Sequence, residues 1–185
     1  MNRLISFAAV LVLAMLLTAP VATAQIQERV SDITGMQRVV SDDLRDVSVQ
    51  NYEGDDMAYK VEYAYNPNTD SATWQLVFYG FAPRPTDMSA ADRVLVWIDS
   101  QRVQSQDAES RMRRMDDTVL EMQTATFSPS IFERIAQAES VELTIGSAEF
   151  ALSYSQRADM RAALQSARQM EQRAAEQRRA NNTGR

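Results

Sequence analysis

The chain has 185 residues, no cysteine, no histidine, a single lysine and a formal net charge of −6. The missing thiols and imidazoles exclude disulfides, thiolate or imidazole zinc sites, thiol nucleophiles, Ser-His-Asp hydrolysis and histidine general bases. Residues 25–156 carry 22 acidic and 11 basic side chains. Such an acidic body argues against nucleic acid as a partner.

Arg3 is the only charge before Glu28, and Leu4 to Leu17 is an apolar run ending short of Ala22-Thr23-Ala24. This reads as a secretory signal peptide over 1–24, cleaved after Ala24. The run falls short of the roughly 20 residues a membrane-spanning helix needs. No cysteine follows it, which excludes a lipid-anchored lipoprotein. The expectation is a soluble protein exported to the periplasm or beyond, with no transmembrane span after processing. One domain over 25–170 follows, then a tail over 171–185.

Between 25 and 45 the pattern is ambiguous. Val30, Ile33, Met36, Val39 and Val40 fit a helix face, whereas Met36 to Val40 fit a strand equally well. Asp42 to Asp46 reads as a polar turn, and Val47, Val49 and Tyr52 as a short strand.

The next stretch is a hairpin. Tyr59, Val61, Tyr63 and Tyr65 alternate with polar or small residues, Asn66 to Ser71 is dense turn chemistry, and Thr73 to Phe81 is apolar on both faces. Pairing Tyr65 with Ala72 sets Tyr63 against Trp74, Val61 against Leu76 and Tyr59 against Phe78. The second strand should be central and covered on both sides. Pro83-Arg84-Pro85 ends it. Arg93 to Ile98 is another two-faced apolar strand, and Asp99 to Arg102 is a tight turn. Gln104 to Asp117, with Arg111, Arg113 and Arg114, should be an exposed edge or an excursion. Thr118 to Phe127 alternates, with Leu120, Met122, Thr124 and Thr126 on one side.

The segment from Thr126 to Met170 is the best specified. Ser128-Pro129 suits an N-cap and first helical position, and Ile131, Phe132 and Ile135 form one apolar face. Val141 to Ile145 and Ala148 to Leu152 flank Gly146-Ser147, a loop suited to a type II′ turn. That register places Ile145 against Ala148, Leu143 against Phe150 and Val141 against Leu152. A long helix then starts near Ser155, with Met160, Ala163, Leu164, Ala167 and Met170 at helical spacing. Beyond Met170 no large apolar residue remains, so residues 171–185 should project as a fraying, arginine-rich helix, open to a protein partner. Together these elements mean α+β, with seven to nine strands in a mainly antiparallel sheet, a roll or two packed layers, and the last helix outside.

Phe127 to Ala138, followed by Val141 to Gly146 and Phe150 to Leu152, resembles a helix–hairpin–helix unit common in uncharacterised secreted bacterial proteins. The resemblance covers roughly residues 127–165. It implies a fold family of unknown function and carries over no catalytic residue.

Few residues suggest chemistry. Asp42, Asp43 and Asp46, or Glu53, Asp55 and Asp56, are acidic enough for calcium but lack a calcium-loop spacing. No metal site or cofactor is nominated. Lys60 beside a serine would give a Ser-Lys pair, yet it alternates with tyrosines on a strand and reads as an outer-face residue. Tyr59, Tyr63, Tyr65 and Trp74 suit either the wall of a ligand groove or an ordinary core. The expected function is an exported non-catalytic binding or structural module. The alternatives are a carrier of an apolar or aromatic ligand in the tyrosine–tryptophan groove, or a hydrolase working only with carboxylates.

Overall fold

The computed structural model describes residues 25–31 and 36–183, with side chains to 180. The signal peptide expected over 1–24 lies outside them. Two antiparallel sheets and two α-helices make an α+β fold. The described strands number eleven, more than the seven to nine expected: β1 Ile26–Val30, β2 Gln37–Ser41, β3 Arg45–Val47, β4 Asp56–Asn66, β5 Ser71–Ala82, β6 Leu95–Ile98, β7 Gln101–Gln104, β8 Asp107–Met115, β9 Thr118–Phe127, β10 Val141–Ile145 and β11 Ala148–Ala151. The surplus comes from the ambiguous N-terminal stretch, where β1 and β2 pair as strands, and from a polar edge that is a full strand.

The larger sheet runs β1-β2-β4-β5-β9-β8, with β3 also on β4, and the smaller runs β11-β10-β6-β7. The β4–β5 register sets Tyr59, Val61, Tyr63 and Tyr65 against Phe78, Leu76, Trp74 and Ala72, as the turn chemistry predicts. In the β10–β11 hairpin Leu143 meets Phe150 and Ile145 meets Ala148. Only Gly146 of its two loop residues has positive φ, +59°, as a II′ turn requires.

One face of the larger sheet carries the core. Helix α1, Pro129–Gln137, stacks Phe132 on Trp74 with ring centroids 4.2 Å apart, and Trp74 in turn meets Tyr63 at 4.5 Å. The smaller sheet closes the next part, where Phe150 meets Phe78 edge-on at 5.6 Å. Helix α2, Tyr154–Thr183, covers β1, β2 and β4. Ser153 caps it: its hydroxyl accepts from Gln156 N, and the Gln156 side chain accepts from Ser153 N at 2.7 Å, a reciprocal capping box. Arg161 donates to Ala136 O at the end of α1, a cation against the negative end of a helix dipole.

Residues 171–178 of the tail do not project. Helix α2 continues unbroken past Met170. Glu171 accepts from the Tyr63 hydroxyl, Ala174 is buried, and Arg173 and Arg178 pair with Glu28 and Asp70. Alanine buries little area itself but lets the helix approach β1 and β2 closely, so the long arginines reach across.

The opposite face of the larger sheet is only partly covered. Val77 is buried, but Tyr79, Phe81, Leu120 and Met122 are half-exposed, so β5 is central yet not enclosed on both sides. On β9 the buried residues are Val119, Glu121, Gln123, Ala125 and Phe127. Burial of Glu121 and Gln123 follows from the 83–92 loop, whose backbone groups need partners. Glu121 accepts from Thr86 N at 2.9 Å and from Thr86 Oγ1 at 2.6 Å, and Gln123 donates to Ala91 O at 2.8 Å. Tyr52 lies over Gly80 beside this knot. A Cβ at residue 80 would fall 2.2 Å from the Tyr52 oxygen, so any larger residue there must displace the Tyr52 ring. The β8 edge bears Arg111, Arg113 and Arg114, all exposed, a charge pattern that discourages strand addition.

Burial raises the pKa of four of the six tyrosines. Tyr52 is pushed up to about 12, with the Glu121 carboxyl adding to the effect. Tyr59, Tyr63 and Tyr65 are also raised, by burial and then by Asp159, Glu171 and Asp70 respectively. Folded phenols thus hold protons that the unfolded chain, with tyrosines near pH ~10, releases. Their contribution is complete below pH ~10 and is lost as pH rises through the folded values. The denaturant midpoint should therefore stay level up to about pH 9.5 and fall steeply above about pH 10.5. A level midpoint across that alkaline range would mean the phenols face water.

Candidate functional site

The outward face of the smaller sheet is built by alternation. On β6, Val96 and Ile98 turn inward, as does Val94 just before it, so Trp97 turns out and stays 40% exposed. On β10 and β11, Leu143, Ile145, Ala148 and Phe150 turn inward, leaving Glu142, Thr144, Glu149 and Ala151 outside. The register then fixes neighbours: Trp97 sits opposite Glu142 on β10 and Arg102 on β7, and Thr144 sits opposite Glu149. Glu142 and Glu149 are therefore diagonal across the ladder, roughly 7–8 Å apart at the backbone.

The 48–51 segment raises a wall beside this face. Gln50 and Glu149 exchange backbone hydrogen bonds of 2.7 and 2.9 Å. Asn51 takes φ +59°, a conformation asparagine tolerates, and turns the chain away toward Tyr52. Ser147 Oγ donates to Asn51 O at 3.0 Å and also contacts Asp87. The wall is thus pinned at Gln50 and Asn51.

Between wall and sheet lies an open cleft of about 470 Å³, lined by Ser48, Gln50, Trp97, Glu142, Thr144 and Glu149 among others. The other flank of Trp97 lines a second cleft of about 190 Å³ with Ser100, Ser140 and Glu142. Asp99 shapes that end: its carboxylate accepts from Glu139 N at 3.0 Å and Ser140 N at 2.9 Å. The Arg102 guanidinium lies 6.0 Å from the Trp97 ring centre, within cation–π range. The Glu142 and Glu149 carboxylates are exposed, and Glu149 takes only a long contact, 3.4 Å, from Asn51. The face therefore offers an aromatic plane, two carboxylates, one guanidinium and several hydroxyl and amide groups.

The residues singled out from sequence lie elsewhere. Tyr59, Tyr63, Tyr65 and Trp74 are each 1–3% exposed and belong to the core. Three of their polar ends are already engaged: Tyr59 with Gln156 O, Tyr63 with Glu171 and Tyr65 with Asp70. They form core, not the wall of a groove. Lys60 pairs with Glu62 at 2.6 Å on the outer face of the larger sheet. Neither acidic triplet converges: among the described residues, no group of three or more acidic side chains is placed to hold a metal ion. No described helix is long and apolar enough to cross a membrane. The signal for Trp97 was present in the sequence as one polar face of the β10–β11 hairpin. Which strand would pair beside it was not.

No family model, no curated protein and no solved structure matches the chain.

Proposed function

We propose that the chain is an exported, non-catalytic binding module whose ligand lies against Trp97. The observation that carries this reading is the half-exposed indole at the junction of two clefts, on a sheet face that no other described element covers. A large aromatic left in water contributes little to its own fold and is the residue type that dominates binding energy when covered. The apolar run and Ala22-Thr23-Ala24 support export, as does the resemblance of residues 127–165 to units of secreted bacterial proteins.

The chain has two tryptophans, so a ¹⁵N-labelled sample gives two indole resonances, one from the core and one from the cleft. Titration with a panel of neutral sugars, organic cations, dicarboxylates and short peptides should move the Trp97 indole with the amides of Gln50, Thr144 and Ala151. Trp74 should stay fixed. Shifts that map only to other surfaces would count against the reading.

One observation favours a second reading. Glu142 and Glu149 line the same cleft, and glycosidases work with two carboxylates flanking one bond. Both are exposed, however, whereas a carboxyl that donates a proton at neutral pH needs an apolar enclosure. Release of reducing ends from an oligosaccharide, abolished by Glu142→Gln, would establish the hydrolase.

A further inference from the structure

The chemistry around Trp97 narrows the ligand, given the binding-module reading. An apolar ligand needs walls that are apolar throughout, but in the main cleft Ser48, Gln50, Glu142, Thr144 and Glu149 share the lining with Trp97, Leu143, Phe150 and Ala151. An anion would meet two exposed carboxylates. An organic cation would find the ring already shared with Arg102, whose fixed positive charge lies 6.0 Å from the ring centre. What remains is a neutral ligand that uses donors and acceptors together. A hydroxyl both donates and accepts, so a chain of rings bearing several can receive from Arg102 towards one edge of the sheet and from Gln50 at the other, while donating to Glu142 and Glu149 between them. The C–H face of such a ring is apolar and flat enough to lie on an indole.

Length points the same way. The two clefts share Trp97 and Glu142 and continue across β11, β10 and β6 to Ser100 and Ser140. That path crosses two interstrand spacings, roughly 10 Å, more than one sugar ring needs. The groove is open at the surface rather than enclosed, which suits a stretch of polymer better than a lone small molecule.

We infer that the Trp97 groove binds a neutral polysaccharide chain, one ring stacked on the indole and its neighbours hydrogen-bonded along the strands' outer face. Isothermal titration of the full chain with three tetrasaccharides tests it: β-1,4-linked glucose, β-1,4-linked N-acetylglucosamine and α-1,4-linked glucose. At least one should bind, and its disaccharide should bind more weakly. Trp97→Ala should weaken binding by about tenfold or more, the scale of a tryptophan hot spot, with the melting midpoint unchanged. Glu142→Gln keeps the hydrogen-bonding atoms but removes charge, so neutral-sugar affinity should change by less than about fivefold. If tetraethylammonium or polygalacturonate binds in a Trp97-dependent way and no neutral sugar does, the polysaccharide is wrong and the module stands. If a sugar binds equally well to the wild type and Trp97→Ala, the groove is wrong as well. Silence from all three tetrasaccharides would overturn the inference.

Discussion

Trp74→Ala should lower the free energy of unfolding by about 3–5 kcal/mol, the usual cost of deleting a large buried aromatic. Trp74 sits between Phe132 of α1 and Tyr63 of β4, so the variant loses ring contacts on two sides and opens a void where sheet meets helix. A domain of ordinary stability, about 5–15 kcal/mol, would be brought near the edge of folding. Trp97→Ala is the control within the same chain. Its ring is 40% exposed, and a surface change of that kind stays within about 0.5 kcal/mol. Chemical denaturation of both variants measures the difference. Equal losses would mean that Trp97 is held in the core, and with it the functional reading fails.

Truncation after Met170 should be the second costly change, by about 2–4 kcal/mol. Removing Glu171 leaves the buried Tyr63 hydroxyl without its acceptor, and a hydrogen bond to a charged group is worth about 1.5–3 kcal/mol. Ala174 leaves a buried site, adding about 1 kcal/mol. The exposed Arg173–Glu28 and Arg178–Asp70 pairs add little each. A solvated tail would instead show a change within about 0.5 kcal/mol. Denaturant titration of the 1–170 chain separates the two outcomes. Acid reports on the same docking. Burial pushes the Glu28 carboxyl up, but hydrogen bonds from Arg173 and Ser166 and the Arg173 charge outweigh it, so its pKa falls below the usual value. The docking contribution of Glu28 is therefore present above about pH 4.3 and fades as pH falls below it.

Residues that set local geometry were readable. Gly146-Ser147 dictated the register of β10 and β11, and the Asn66–Ser71 turn dictated that of β4 and β5, because a one-residue slip in either would expose an apolar face. Elements whose environment is non-local were not. Glu121 looks like a surface residue, yet it is buried because a loop 35 positions away needs its carboxyl. The end of α2 looks unable to pack, because its contact surface is made of alanine and arginine rather than large apolar residues. Trp97 looks like core on a two-faced apolar strand. Its exposure follows from which face of the smaller sheet lies on the larger, and that is set by the Phe78–Phe150 contact between distant segments. The four aromatics of the first hairpin were legible as an interacting set. Whether they enclosed a ligand or one another depended on α1 and α2, which fill the space over them.

The central claim, that the cleft at Trp97 is where this protein binds its ligand, is tested most directly by native mass spectrometry of protein recovered from its own source. Wild-type protein should carry a bound mass that Trp97→Ala lacks, while both remain folded. Wild-type protein found bare, or a bound mass that Trp97→Ala retains in full, would contradict it.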